Sequence, residues 1–518
     1  MGRANSSTLH WTTCPSGALT PTQLFEALRI YQEEAIMLDS QRHRRGEHSI
    51  MGILIPGQTI KVSYETEPQM LRYGTGLPNT SRNVVIDSID NLWALLQQVL
   101  DVYSVQGSQV CLNPSSGDHR SEPSNLEIET CPTKSPFWGG FMGYISYEAG
   151  LETIDVPAWP GATESQSNIP DVNFAFVQRS IVFDHAASQI YVQSLVEDDR
   201  DWLVQHPQEV GSQEEDTALN ETLAGARIMK PSEAEYRAKV LACQQYLSSG
   251  DSYELCLTDE TTITFPGPVN AWSLYKRLRR RNPAPFGAFL RLSDALVVGS
   301  SPERFLHWDR AGRCEFRPIK GTVKKSDTMT RETAHAILNS SKERAENLMI
   351  VDLIRHDLSG VVGAQNCAVS KLMVVEEYET VYQLVSVIQG KLRIPDPDQA
   401  SRPRGLDILR KSLPPGSMTG APKKRSCKIL REIEQRGRGI YSGVIGYLDI
   451  GGAGDFSVVI RTAVRHEPGV NGQGERWHIG AGGAITVQST DEAEYREMEV
   501  KATGALIAFL PDKVQGEP

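Results

Sequence analysis

The run Leu348-Met349-Ile350-Val351-Asp352-Leu353 sets the hardest condition on the fold. It lies inside the helical stretch Lys342 to Leu358 and is almost wholly apolar, so the helix is expected to be deeply buried. A helix covered on most sides needs a large core around it. A chain of 518 residues supplies one, as a single large domain or two to three ordinary ones. The same helix carries Glu346 one turn before Met349 and Ile350, on the same face. A carboxylate beside buried apolar surface has to be paired or to bind a cation. The sequence leaves open an internal pair with Arg344 or Arg355.

The rest of the chain divides around a polar, acidic stretch at 204–222, the best candidate for a domain boundary. We place that boundary near residue 225. Residues 1–20 read as a linker or tail, 21–224 as an N-terminal domain, 225–510 as a second domain and 511–518 as a tail. In the first half a helix is expected from Pro21 to Glu34 with Thr20 as its cap, and strands at Ser49–Pro56, Gln58–Tyr64, Asn173–Phe183 and Gln189–Glu197. Phe137 to Glu148 sets three glycines among aromatics, as a strand or turn in close backbone contact would. Residues 105–135 read as a long loop, rich in Ser, Pro, Asn and Gly. In the second half, Ser232 and Glu235 form a capping box before a helix.

A net charge of −11 disfavours nucleic acid, which needs clustered cations, but leaves room for a locally basic site for a small anion. No apolar run reaches the roughly 20 residues of a membrane span. The eight cysteines are scattered without C-x-x-C spacing and read as free thiols. A cytoplasmic enzyme is the expectation.

Chemistry gathers in the second half. Arg317-Pro318-Ile319-Lys320-Gly321-Thr322 sets a lysine between an apolar residue and a glycine, after a proline that bars the middle of a central strand. Lys320 is either a surface lysine or a nucleophile, and the second role requires burial or a neighbouring cation to depress its pKa. Glu303 follows a strand-like run and a Ser-Pro turn, as a general acid or a turn residue paired with Arg304. Pro415 to Arg425, which contains Thr419, fails the P-loop spacing but opens a helix at Pro422, where an anion could sit. Tyr441 precedes Arg461, which follows an apolar run and is expected to meet a carboxylate. Gly480 to Ile485 contains Gly482 and Gly483, whose N–H groups can face an anion. In the last helix, capped by Ser489 and Glu492, the residues Glu494, Glu497 and Lys501 fall within about 60° on one face. They form a solvated stripe or a carboxylate site for Mg²⁺, which takes few carboxylates plus water and substrate oxygens.

These stretches, in this order, resemble the chorismate-utilising enzymes, and within them the aminodeoxychorismate synthase component I branch. The likeness is strong over 225–510 and looser over 21–200. It implies an α+β fold, a large sandwich of two β-sheets with flanking helices, to which the N-terminal region contributes. The lysine of Pro-Ile-Lys-Gly-Thr resembles that branch, where anthranilate synthases carry alanine. The resemblance implies that Lys320 attacks C2 of chorismate as the C4 hydroxyl leaves, that Glu303 is the acid for that hydroxyl, and that ammonia then expels the lysine to give 4-amino-4-deoxychorismate for 4-aminobenzoate and folate. It implies Mg²⁺ on Glu346 and Glu497 with Glu494 beside them. An adjacent Mg²⁺ would also help to keep Lys320 unprotonated. Substrate contacts fall to Tyr441, Arg461, Gly482, Gly483, Gly321, Thr322, Thr419 and Lys501. Ser40, Pro283 and Phe286 match a tryptophan-like site. Gln383 stands where relatives often place histidine, and Glu254 where water-activating relatives carry lysine. No glutaminase elbow is present in the sequence, so a glutaminase subunit or a fused glutaminase domain is the expected ammonia source. Anthranilate synthase component I, and a silent homologue serving as a regulatory subunit, are the alternatives.

Overall fold

The computed structural model describes residues 8–41, 47–77, 79–103, 131–159, 169–204, 217–326, 328–378, 381–392, 404–468 and 474–511. The expected loop at 105–135 lies outside these up to residue 130. The boundary stretch lies outside them over 205–216, and the C-terminal tail after 511.

Among the described residues the strands form two antiparallel sheets, as the α+β sandwich expectation requires. From edge to edge, the first runs His10–Pro15, Gln189–Ser194, Arg179–Asp184, His48–Ile53, Ala35–Asp39, Phe286–Leu292, Ala295–Ser301, Thr462–Pro468, Glu475–Ile485, Glu254–Thr264 and Arg227–Met229. The short strand Gly420–Ala421 adds to Glu254–Thr264. The second runs Ile319–Lys324, Val381–Lys391, Arg313–Phe316, Arg304–Trp308, Gly454–Val458, Val444–Asp449, Gly140–Ile145, Val172–Val177, Lys61–Glu65, Met70–Gly74 and Arg82–Val85, with Cys367–Glu377 also paired to Val381–Lys391. Each sheet joins a block of strands from before residue 225 to a block from after it: Ala35–Asp39 pairs with Phe286–Leu292 at the seam of the first, and Gly140–Ile145 with Val444–Asp449 at that of the second.

The main core fills the space between the sheets. Ile36, Ile50, Leu290 and Val297 of the first meet Phe141, Phe174, Leu306 and Phe456 of the second. All six residues of Gly140–Ile145 are buried, because this strand is central and covered on both faces. Gly143 pairs with Gly446 there, and a side chain at either would strike the backbone of the next strand, Asn173 or Asp455. A second core lies behind the first sheet around Phe25, Trp272 and Phe289, whose rings meet at 4.7 to 6.0 Å. A third packs the helices Glu233–Ser248, Lys423–Glu434 and Asp491–Leu506 against Leu255, Leu257, Ala481 and Ile485. This last layer fixes the ends of the strands that carry Glu254, Gly482 and Gly483.

Several local expectations are corrected. Residues 10–15, expected in a tail, form an edge strand through Trp11 and its neighbours. The helix at Pro21 has its Thr20–Gln23 capping box but stops at Ala27, followed by a 3₁₀ turn at Ile30–Gln32. Asn173–Phe183 is two strands broken at Gln178, since both pair antiparallel with different neighbours. The last helix is capped by Thr490, whose hydroxyl accepts from the Ala493 N–H, while Ser489 turns to Glu494. The helix Ser341–Val362 is not covered all round: it buries Glu346, Asn347, Ile350, Val351, Ile354 and Leu358, while Leu348 stays 45% exposed. The helix is covered on one side, by Val381–Lys391 and the neighbouring strands Cys367–Glu377 and Ile319–Lys324. Among the described residues, no helix is long and apolar enough to cross a membrane.

Candidate active site

Lys320 stands on the edge strand Ile319–Lys324, opposite Leu384. The register slips between Lys320 and Thr322, where Gly321 takes φ +74°. A β-carbon on Gly321 would sit 2.6 Å from Glu343 Oε2, so glycine is required both by conformation and by space. The bulge turns the Lys320 side chain inward, to 11% exposure, and its Nζ donates to Glu254 Oε1 at 2.8 Å. Glu254 is fully buried at the start of its strand, and its other oxygen has no hydrogen-bond partner. Burial pulls the Lys320 pKa down, but the carboxylates of Glu254 and Glu346 outweigh it and hold the pKa well above the usual lysine value. The amine therefore rests as an ammonium. The expectation of a depressed pKa is overturned for this resting state by an acid lying 66 residues away in sequence.

Glu303 lies between the strands Ala295–Ser301 and Arg304–Trp308, 8% exposed. Burial raises its pKa to about 7, against the smaller opposing effects of the Ser417 hydroxyl, Lys320 and Lys501. Arg304, a candidate partner in sequence, turns away to Asp455 at 2.8 Å. Glu303 is thus an acid that keeps its proton near neutrality, close to two lysines.

Glu346 and Glu494, on two helices, both lie within 4 Å of the Lys342 ammonium, at 3.9 and 3.3 Å. Neither pairs with Arg344 or Arg355; Arg355 bonds Asp352 instead. Burial raises the Glu346 pKa to about 7 and also raises that of Glu494. Glu494 Oε1 accepts from Ser489 Oγ at 2.6 Å and from Lys342 Nζ at 3.3 Å. Glu497 pairs with Lys501 at 2.7 Å. Gly483 belongs to the same cradle: a β-carbon there would sit 2.8 Å from Glu494 Oε2 and 3.7 Å from Glu497 Oε1. The stripe of the last helix continues to Gly504, where a β-carbon would fall 2.6 Å from Arg461 Nη1. Arg461, at φ +52°, makes no ion pair among the described residues, and burial lowers its pKa. Among the described residues no carboxylate pairs with it, which leaves a guanidinium available to the carboxylate of a ligand. Tyr441 is buried with its ring against Gly480.

The remaining expectations divide. Gly482 pairs with Thr258 in mid-strand. Thr322 is exposed and accepts from Gln383 Nε2 at 3.4 Å. The Thr419 hydroxyl donates to Gly416 O in its own turn, so it is committed locally. Ser40 and Phe286 lie at the ends of the paired strands Ala35–Asp39 and Phe286–Leu292, forming a separate cluster, with Pro283 exposed. The Ser40 hydroxyl and Gln41 Nε2 there are buried without partners.

Sequence reasoning passed over a buried support. Arg438 pairs with Glu434 at 2.7 Å and donates to Met418 O and Cys256 O at 2.7 and 2.8 Å. It also lies 4.3 Å from the Tyr147 ring centre. Glu434 accepts from the Thr258 N–H at 2.8 Å. One ion pair thus ties the 416–418 turn to the strand that carries Glu254. The i, i+4 spacing of Glu434 and Arg438 was its only signal in the sequence. Arg438→Met leaves Glu434 buried and uncompensated, and urea denaturation is expected to show a loss of about 3–5 kcal/mol.

The profile of the chorismate binding enzyme family matches residues 96–506. The chain is 38% identical over 405 residues to the aminodeoxychorismate synthase of Saccharomyces cerevisiae, covering 72% of this chain and 50% of that one. It is 35% identical over 366 residues to aminodeoxychorismate synthase component 1 of Salmonella typhimurium, covering 70% and 75%. The chain spans about half the length of the fungal relatives it matches. In fold it is similar to anthranilate synthase component I of Streptococcus pneumoniae, with a TM-score of 0.65 at 23% identity over 95% of this chain and 98% of that one. It is also similar to the menaquinone-specific isochorismate synthase of Escherichia coli, at 0.60 and 15% over 98% and 95%. By the profile match over residues 96–506, the chain belongs to the chorismate binding enzyme family.

Proposed function

We propose that this chain converts chorismate and ammonia to 4-amino-4-deoxychorismate, as the synthase component of an aminodeoxychorismate synthase on the route to 4-aminobenzoate and folate. The observation that carries the reading is the buried Lys320 at its glycine bulge, 2.8 Å from Glu254 and beside the raised-pKa acid Glu303. The names of its relatives support the same choice.

The residues divide the work. The Lys320 ammonium has Glu254 as the carboxylate in hydrogen-bond reach, which takes the proton and frees the amine. The Nζ lone pair attacks C2 of chorismate, both ring double bonds shift (C1=C2 to C1=C6, C5=C6 to C4=C5) and the C4–O bond breaks. Glu303 supplies the proton with which the hydroxyl departs as water. Ammonia then adds at C4 and expels the lysine. Lys320 recovers its proton from Glu254, and the surplus ammonia proton restores Glu303. Arg461 binds one substrate carboxylate, with Tyr441 and the backbone at Gly482 and Gly483 around it.

Mg²⁺ is proposed on Glu346, Glu494 and Glu497. Among the described residues, no group of three or more His, Cys, Asp and Glu encloses a metal by itself. Two observations still fit a site completed by water and substrate oxygens: Glu346 Oε1 and Glu494 Oε2 are buried without hydrogen-bond partners, and the absence of a side chain at Gly483 leaves room beside Glu494 and Glu497. Bound there, the ion would neutralise the second carboxylate of chorismate. Ammonia is proposed to come from a glutaminase, as a partner subunit or a fused domain; the bacterial relatives named component 1 support a second component. Tryptophan is proposed at the cluster of Ser40, Pro283 and Phe286, on the strength of the unpartnered buried Ser40 hydroxyl and Gln41 amide there.

The test is the purified chain with chorismate, Mg²⁺ and ammonium, with products read by mass. Aminodeoxychorismate is expected; anthranilate with pyruvate release would remove the reading. The acid also sets a pH dependence. The Glu303 pKa, about 7, lies above the ordinary carboxylate value, so its useful proton is present below pH 7 and lost as pH rises through it. The rate of Lys320 adduct formation without ammonia, followed by intact mass, is expected to fall above neutrality by about tenfold per unit.

A further inference from the structure

Glu346 and Glu494 sit on different helices, and both are more than nine-tenths buried. Each presents an oxygen that no hydrogen bond satisfies. Two carboxylates in such surroundings are costly without a countercharge. One ammonium lies between them. Lys342 Nζ is 3.3 Å from Glu494 Oε1 and 3.9 Å from Glu346 Oε1. Lys342 rises from the first turn of the helix Ser341–Val362, and its side chain is 36% exposed, so it touches both the two carboxylates and solvent.

Support of its own helix does not explain this placement. Lysine preceding glutamate at i, i+4 is the weaker order on a helix, and the nearer carboxylate belongs to the other helix. Lysine does suit a removable countercharge, being a compact cation on a flexible four-carbon stem. A divalent cation shared by Glu346 and Glu494 cannot stand beside it without strong repulsion.

We propose that Lys342 is a resident counter-ion, which holds Glu346 and Glu494 together when no divalent cation is bound and withdraws into solvent when one enters. This rests on the reading of these glutamates as Mg²⁺ ligands. On this account Lys342 weakens metal binding and keeps the metal-free site folded. It also makes the site's net charge change by one unit rather than two when the metal enters and the ammonium leaves.

The experiment uses the full chain, stripped with chelator, in wild-type, Lys342→Met and Lys342→Arg forms. Mg²⁺ affinity is read by calorimetry and stability by thermal melting, both without chorismate. Lys342→Met is expected to bind Mg²⁺ more tightly by about tenfold or more, because a nearby positive charge has gone. Its metal-free form is expected to melt below wild type, and saturating Mg²⁺ to close the difference. Lys342→Arg, which keeps the charge, is expected to stay within about threefold of wild-type affinity. Equal or weaker Mg²⁺ binding by Lys342→Met overturns the counter-ion role and leaves the metal reading standing. No Mg²⁺ binding by any of the three proteins removes both.

Discussion

Lys320→Arg is expected to fold, keep its ion pair with Glu254 and lose aminodeoxychorismate formation by about 10³-fold or more, equivalent to about 4 kcal/mol of barrier. The choice of arginine matters. Lys320→Ala removes the same nucleophile but strands Glu254, which is fully buried, and that alone costs about 3–5 kcal/mol of stability. A dead alanine variant would therefore mix misfolding with lost chemistry. Arginine keeps the positive charge, while its guanidinium stays protonated and cannot attack carbon. Circular dichroism checks the fold, product mass reads the activity, and incubation with chorismate reads the covalent adduct, expected in wild type and absent in the variant. Retention of a tenth of the activity by Lys320→Arg would exclude Lys320 as the nucleophile.

Glu303→Gln carries the second large effect. The amide fills the same volume and keeps hydrogen-bonding capacity, yet has no proton to deliver to a departing hydroxyl. A loss of about 10²–10⁴-fold is expected. It should appear in the rate of adduct formation under saturating chorismate, with chorismate affinity nearly unchanged. The fall in rate above neutrality should vanish with it, since the titrating group has gone. Stability should hold or rise, because a carboxyl whose pKa is pushed to about 7 by burial is already strained toward its neutral form. An unaltered pH profile in Glu303→Gln would assign that titration to another group.

What the sequence disclosed about this site, and what it hid, follows from distance along the chain. The stripe Glu494, Glu497 and Lys501 was legible because helical spacing is local, and it extends in the fold to Gly504 beneath Arg461. The glycine after Lys320 was legible as a close approach, and the structure supplies its reason in Glu343. The charge state of Lys320 was not. It depends on Glu254, which reaches it only because the first sheet lays Glu254 against Ala421 and the third helical layer seals that end. No period or propensity links two such residues. Arg461 is expected to meet a carboxylate, but its sequence context does not say whose; among the described residues none pairs with it. The helix at Leu348 was misjudged for a simpler reason: a nearly unbroken apolar run does not say on how many sides the tertiary structure covers it.

The seam in each sheet between strands from the two halves of the chain bears on how the chain comes to be made. Ala35–Asp39 waits for Phe286–Leu292, and Gly140–Ile145 waits for Val444–Asp449. At ribosomal speeds of roughly 5–20 residues per second, the second wait lasts on the order of 15–60 s. Through that time the all-buried strand Gly140–Ile145 has an open edge on the side Val444–Asp449 will take. Pairings so remote in sequence also fold slowly once the chain is complete. Newly made chains of this architecture are therefore natural clients of the chaperones that shield unpaired strands during synthesis, and a nascent chain halted near its middle is the form most prone to aggregate.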